Sequence, residues 1–383
     1  MNATRPRVAW VTNDLPPHSG GIQQFVGSLL ERTADADTLV LGPAAPADRT
    51  KAARAFDASG PWRTQRAPGR VLPTRRSAEW LTPHLVAHRP DVVVIASLWP
   101  LGRLVPALRR AVDAPVLAIT HGAEAGLARG PGRRLLRSIV RDVDLLTVIS
   151  DHTEAAITSA LPGARIERLA PGVDPARFAR GVGSQGAVAL RTRWGVPAEA
   201  TVVGCVARLV PRKGQDVLLA AWPEVRRRHA DVRLVLVGEG PSHRRLERAA
   251  RGMDGVHLVG AVTWEELPSA YAALDVFAMP VRTRLAGLDV EGLGISMLEA
   301  QAAGLPVITG RSGGAPETVS DPRVGTVIDG RDRAATVAAL DRWLSDPDAR
   351  KTASVLGPQL AQDWSWDKVA DRFTALVAAL ARG

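Results

Sequence analysis

Cysteine is nearly missing from this chain: Cys205 stands alone among 383 residues. One thiol excludes an internal disulfide framework and a cysteine-ligated metal site, and it fits a reducing compartment. Lysine is almost as scarce. Lys51, Lys213, Lys351 and Lys368 are the only lysines among 49 basic residues, so arginine carries the formal charge of +10. That arginine, set beside abundant alanine, reads either as a GC-rich coding background or as a surface for an anionic partner. Aromatic residues make up only 4% of the chain, with a single tyrosine. No stacking sheet, helix-turn-helix or zinc-finger pattern is visible, so no nucleic-acid partner is expected. No stretch approaches the ~20 apolar residues needed to cross a bilayer. The first apolar run, residues 8–12, is too short for the core of a secretory leader. The expected location is cytoplasmic, at most peripheral on the cytoplasmic face of the membrane.

Hydrophobic residues make up 46% of the chain, enough for two cores of ~150–200 residues each. Short β-branched runs at residues 7–12, 38–41, 91–96, 115–120 and 145–149 alternate with helical patterns at 23–33, 101–112 and 153–160. This alternation predicts a parallel sheet flanked by helices. Residues 44–73, rich in Pro, Gly and Arg, read as an irregular excursion. The pattern breaks at 168–186 and then resumes. Strands are expected at 201–208, 233–237, 256–258, 276–279, 306–308 and 325–328, with helices at 215–228, 243–251, 264–273, 294–303 and 333–344 and a last helix after Trp366. The expected organisation is an N-terminal domain over 1–178, a linker over 179–200, a second domain over 201–365, and a helix over 366–383 that returns to the first domain. Ligands of such doubly wound sheets sit at the carboxyl ends of the strands.

Three segments at strand ends carry candidate chemistry. After the first strand, Gly20 and Gly21 open a helix, where backbone N–H groups can approach an anion. The segment matches neither a dinucleotide GxGxxG fingerprint nor a Walker A loop. Arg208 and Lys213 lie in the loop after the first strand of the second half, where a planar fork and a point charge can neutralise a diphosphate. Glu291 and Glu299 are eight positions apart, roughly 12 Å if helical, too far for the ~5–9.5 Å carboxylate pair of a glycosidase. They suit a ligand laid along a helix start, with Gly292, Gly294 and Ile295 offering backbone N–H groups to phosphate oxygens. Arg129, Arg133, Arg134, Arg137 and Arg141 interleave with Leu135, Leu136, Ile139 and Val140, which reads as a basic amphipathic helix or as a surface helix of an arginine-rich chain.

The Glu291–Glu299 spacing resembles the E-x7-E motif of glycosyltransferase family 4, the retaining, GT-B-fold enzymes. Arg208…Lys213 resembles that family's phosphate-binding pair, and Gly20-Gly21 its diphosphate loop. The longer strings 13–17, 208–216, 287–294, 312–318 and 364–366 are similar to the family's actinobacterial phosphatidylinositol-mannoside mannosyltransferases. The resemblance implies two Rossmann-like domains facing a central cleft and transfer of mannose from GDP-mannose with no metal ion and no other cofactor. It implies Arg208 and Lys213 on the donor diphosphate, Glu299 on the ribose and Glu291 on the transferred sugar. It also implies the Gly21 N–H on the diphosphate, the backbone near Val262 on the base edge, His121 near the sugar, and Asp14 near the acceptor. The basic helix puts Arg129, Arg133 and Arg134 on the acceptor side, as a docking face for an anionic lipid. The implied partner is an anionic lipid.

Five residues at three places depart from that pattern. Ala123 stands where the family carries a second histidine, Leu285-Ala286 where it carries glycines, and Ser296-Met297 where it carries bulkier residues. Ala123 favours an alternative, a soluble enzyme of specialised metabolism acting on a small polyol or aminocyclitol.

Overall fold

The computed structural model describes residues 5–16, 20–128 and 132–383. The chain divides into two compact units, one of Met1–Pro171 with Trp366–Gly383, the other of Gly172–Ser365.

The first unit is built on seven strands: β1 (Val8–Val11), β2 (Thr38–Gly42), β3 (Arg63–Arg66), β4 (Val92–Ile95), β5 (Val116–Ile119), β6 (Leu145–Val148) and β7 (Ile166–Arg168). They pair in the order β3-β2-β1-β4-β5-β6-β7, all parallel. The runs Val-Ala-Trp-Val, Val-Val-Val-Ile and Val-Leu-Ala-Ile are buried at every position, as a parallel sheet covered on both faces requires. One face packs on Leu81, Leu85, Leu98, Leu136 and Ile139. The other packs on Phe25, Leu29 and the final helix, Trp366–Ala381, through Trp366, Phe373, Leu376 and Leu380. Phe373 lies 5.1 Å from Trp10 and Trp366 lies 5.7 Å from Phe25, centroid to centroid. Each such side chain removed from water contributes roughly 1.5–3 kcal/mol, which fixes the last helix to this unit.

The second unit repeats the plan with six parallel strands: β8 (Thr201–Val206), β9 (Val232–Val237), β10 (Val256–Gly260), β11 (Val276–Met279), β12 (Val307–Gly310) and β13 (Gly325–Ile328). Their order is β10-β9-β8-β11-β12-β13. In each sheet the winding reverses once, between β1 and β4 and between β8 and β11. A crevice opens at the carboxyl ends of these strand pairs.

Besides β7 and the helix Pro347–Ala361, which the sequence reading did not anticipate, two stretches differ from it. Residues 44–73 hold a helix, Thr50–Asp57, and the strand β3. β3 reads Arg-Thr-Gln-Arg, alternates exposed and half-buried, and pairs only with β2, so as an edge strand it shows no apolar period. Arg66 organises the segment: its Nε and Nη2 reach the Asp57 carboxylate at 2.7 and 2.8 Å, and Nη2 also donates to the Pro16 carbonyl at 3.1 Å. Within 179–200 lies the helix Gln185–Arg193, capped by the Ser184 hydroxyl. Arg191 pins it to the second unit through Asp275 at 2.9 Å and the Ala273 carbonyl at 2.9 Å.

Candidate active site

At the reversal point of the second unit, the loop after β8 meets the loop after β11. Gly214, at φ 78°, passes so close that a β-carbon there would come within 2.1 Å of the Pro280 carbonyl oxygen. This approach brings Lys213 to Glu291, with Nζ 2.8 Å from Oε2. Arg212 Nε reaches the same oxygen at 3.4 Å, and its Nη1 lies 3.5 Å from Asp289. Both Lys213 and Glu291 are buried. Burial pushes the Glu291 carboxyl up, but the charges of Lys213 and Arg212 and their hydrogen bonds outweigh it, leaving the group below the usual carboxylate range. Glu291 is therefore an anion at neutral pH and accepts hydrogen bonds; it is not poised to give up a proton.

The backbone of Glu291 is held as firmly as its side chain. Its N–H donates to Ser312 Oγ at 3.4 Å and its carbonyl accepts from the Gly314 N–H at 3.1 Å. Between these two, Gly313 sits at φ 56°, and a β-carbon there would lie 1.8 Å from the Glu291 carbonyl oxygen. The Ser312-Gly313-Gly314 string is thus a cradle for Glu291.

Glu299 lies in the following helix, Ile295–Ala302, which begins after Gly294 with no side-chain cap and no acidic residue in its first turn. The N–H groups at this start remain available to an anion, and Gly292 and Ile295 are half-buried beside it. The Glu299 carboxylate is buried and accepts from the Tyr271 hydroxyl at 2.6 Å. Burial, followed by the charge of Glu299, raises the Tyr271 hydroxyl well above its ordinary range, so Tyr271 stays a donor. Arg208 is exposed just past β8, with its carbonyl held by Gln215 Nε2 at 3.3 Å. Of the motif's two arginines it is Arg212, not Arg208, that reaches Glu291. Val262 is half-buried in the loop after β10.

The first unit has its own constellation at the equivalent point. Asp14, after β1, accepts from Gln23 Nε2 at 2.6 Å and from Ser97 Oγ, after β4, at 3.2 Å. The helix Gly21–Thr33 starts behind Gly20 with no side-chain cap. A β-carbon on Gly21 would meet nothing within 4 Å, so the space beside this helix start is open. His121, after β5, places Nε2 2.6 Å from the Ala96 carbonyl. A carbonyl only accepts, so Nε2 carries a proton, and in the neutral ring Nδ1 is the acceptor. Buried Glu124 fixes this turn by accepting from the backbone N–H groups of His121 at 3.1 Å and Trp99 at 3.2 Å. Ala123 is exposed at the start of the next helix, Ala123–Leu127.

The arginine-rich segment contains the helix Gly132–Val140; Arg129 lies outside the described residues. Leu136, Ile139 and Val140 are buried in the core, so the apolar stripe is core packing and is not offered to a lipid surface. Arg133 donates to the carbonyls of Ser159 and Ala160 at 2.7 and 3.3 Å, and Arg137 to that of Ala160 at 3.1 Å. These cations satisfy the end of the helix Asp151–Ala160, a favourable place for positive charge. Arg134 is exposed. Arg137, Arg141 and Arg165 line a shallow hollow of about 480 Å³ beside the amino ends of β6 and β7, away from Gly20 and His121.

Tyr271, Arg212 and the Glu124 anchor were not singled out from sequence. A solitary tyrosine inside an apolar helix carries no local signal of the carboxylate it meets. Among the described residues, no three His, Cys, Asp or Glu side chains gather in a way that could hold a metal ion. No described helix is long and apolar enough to cross a membrane.

Comparison with known proteins places this geometry. Residues 19–177 match the model of Glycosyltransferase Family 4, and residues 200–346 match that of Glycosyl transferases group 1. A GDP-mannose-dependent alpha-(1-6)-phosphatidylinositol monomannoside mannosyltransferase of Mycolicibacterium smegmatis is 40% identical, over 96% of this chain and 97% of its own. A GDP-mannose-dependent monoacylated alpha-(1-6)-phosphatidylinositol monomannoside mannosyltransferase of Corynebacterium glutamicum is 37% identical, over 98% and 99%. Among solved structures, Anabaena HepE in complex with UDP and glucose superposes with a TM-score of 0.76 at 19% identity, covering 98% of this chain and 100% of that one. Sucrose-phosphate synthase of Thermosynechococcus elongatus superposes with a TM-score of 0.75 at 21% identity, covering 98% and 99%. At such identities these two speak for the GT-B fold alone. With both halves matched by family models and near-complete relatives at about 40% identity, the chain belongs to glycosyltransferase family 4.

Proposed function

We propose that this chain transfers an α-mannosyl residue from GDP-mannose to a phosphatidylinositol mannoside at the cytoplasmic face of the membrane, with retention of configuration and without a metal ion. The observation that carries the reading is the buried Lys213–Glu291 pair, with Arg212 behind it, at the reversal point of the second sheet. The named activities of the two near-complete relatives supply the donor and acceptor classes.

In this reading Lys213, Arg208 and the helix start at Gly292, Gly294 and Ile295 hold the diphosphate and stabilise the charge that builds on it as the anomeric C–O bond breaks. Glu291 accepts from hydroxyls of the transferred sugar, and Glu299 from those of the ribose. The backbone at Val262 lies along the base edge. In the first unit, the Gly20–Gly21 helix start is assigned to anion binding and His121, through Nδ1, to a sugar hydroxyl. Asp14, Arg129 and Arg134 are assigned to the acceptor side, while Arg133 is engaged by the end of the helix Asp151–Ala160. The acceptor oxygen attacks on the face the phosphate leaves, the new C–O bond forms there, and the acceptor proton passes to the departing phosphate oxygen. Positioning and charge stabilisation carry such a step.

The test is calorimetry of GDP-mannose and UDP-glucose in the presence of a chelator, with Arg208→Ala alongside, followed by transfer assays on vesicles containing a phosphatidylinositol mannoside. Metal-free GDP-mannose binding that the variant loses, with radiolabelled mannose appearing in lipid, is the expected outcome. Preference for the uridine donor, or transfer only to small soluble polyols, overturns the assignment.

A further inference from the structure

Trp264 is an exception in a chain that buries most of its large side chains. It is 47% exposed, on the loop that leaves β10 and carries Val262. One face of its ring is already occupied: the Arg177 guanidinium lies 3.7 Å from the ring centroid, and Arg177 Nη2 donates to the Trp264 backbone carbonyl. The loop beneath is rigid. Thr263 N–H donates to Glu266 Oε2 at 3.1 Å while Glu266 N–H donates to Thr263 Oγ1 at 3.3 Å, a reciprocal capping box. Arg193 then clamps Glu266 at 2.7 Å.

Arg177 comes from the short helix Pro175–Ala179. The neighbouring Phe178 packs edge-on against Tyr271, 5.4 Å between centroids, and Tyr271 holds Glu299. Burial holds the Arg177 guanidinium below its ordinary range and the charge of Glu299 offsets only part of that, so the cation sits within the field of that carboxylate. One arginine therefore links the loop carrying Val262 to the residue assigned to the ribose.

We propose that Trp264, backed by Arg177, is the stacking wall for the donor's nucleobase and favours a purine over a pyrimidine. The proposal rests on the donor reading above and extends it from the backbone at Val262 to two side chains. A ring fixed from behind by a guanidinium loses little freedom when a base covers its open face. A two-ring base covers more of an indole than a one-ring base does. Stacking of this kind is sequence-tolerant but area-dependent. The diphosphate, held elsewhere by Arg208 and Lys213, takes no part.

Calorimetry on the full chain with GDP, UDP and pyrophosphate tests this, using Trp264→Ala, Arg177→Leu and Arg177→Lys. Trp264→Ala should weaken GDP by about ten- to a hundred-fold, weaken UDP by a smaller factor, and leave pyrophosphate affinity unchanged. Arg177→Leu should follow the same order with a smaller loss, and Arg177→Lys should recover part of it. An exposed Trp264 makes the alanine variant safe to fold, and an unchanged melting temperature checks that. GDP affinity unchanged in Trp264→Ala overturns the stacking wall, as does a variant that alters only the KM for the acceptor. A wild-type preference for UDP overturns the donor reading and the purine preference, and the stacking wall is then decided by whether Trp264→Ala weakens UDP. A wild-type chain that binds pyrophosphate but neither nucleotide overturns both.

Discussion

The Lys213–Glu291 pair should respond asymmetrically to loss of either partner. Both side chains are buried, with 9% and 6% exposure respectively, so an ion left alone there keeps its desolvation cost without its Coulombic return. Glu291→Leu strands the buried Lys213 ammonium, while Arg212 keeps Asp289 at 3.5 Å, and should cost about 3–5 kcal/mol. Lys213→Met strands an anion that still has Arg212 Nε at 3.4 Å, so its cost should fall to about 1.5–3 kcal/mol. For a unit the size of Gly172–Ser365 these correspond to drops in Tm of roughly 6–20 °C and 3–12 °C. The double variant should be more stable than Glu291→Leu alone, because it leaves no buried ammonium unpaired. The pH dependence carries the same signature. The Glu291 carboxyl is depressed by its cations against the pull of burial, so its stabilisation is complete above the ordinary carboxylate range. It is lost as pH falls through the lower folded-state value. The advantage of wild type over Glu291→Gln should therefore vanish in acid. Urea titrations of the five proteins at neutral and acid pH make the measurement. Equal costs for the two single variants, or a larger cost for Lys213→Met, would refute the reasoning.

Other perturbations reach different parts of the molecule. Tyr271→Phe removes the 2.6 Å donor to buried Glu299, about 1.5–3 kcal/mol for a bond to a charged group. GDP affinity should fall at least ten-fold in calorimetry while pyrophosphate affinity holds. Phe373→Ala opens a cavity between the final helix and Trp10 at a cost of about 3–5 kcal/mol; truncation before Trp366 should be worse still, and either is read as a loss of Tm. His88 is held below its ordinary value of 6.5 by burial and then by the charge of Arg63. The unfolded chain thus takes up a proton first as pH drops from about 6.5, and stability declines by up to about 1.4 kcal/mol per pH unit until the folded state also protonates. His88→Gln should flatten that slope in denaturation curves recorded across the range, and an unchanged slope would assign the loss to other groups.

What could be foreseen from the sequence, and what could not, follows from how locally each feature is encoded. Strands such as Val92–Ile95 and Val276–Met279 announce themselves because a doubly covered parallel strand must be apolar at every position. β3 does not, since its stability comes from the distant β2 and from the Arg66–Asp57 fork. The same division runs through the site. Glu291, Glu299, Arg208 and Lys213 could be picked out because their spacing is a property of single loops and helix starts. Their pairing could not be. Spacing puts Lys213 and Glu291 on separate loops with separate tasks, whereas the reversal of the sheet between β8 and β11, with Gly214 against Pro280, makes them one ion pair. Tyr271, Arg177 and Trp264 act across helices that are far apart in sequence, so no periodicity marks them. The arginine-rich helix shows the opposite hazard: its amphipathic pattern is real, but Leu136, Ile139 and Val140 face the core. A helical stripe specifies that something apolar covers it, and only the tertiary fold decides whether that cover is protein or lipid.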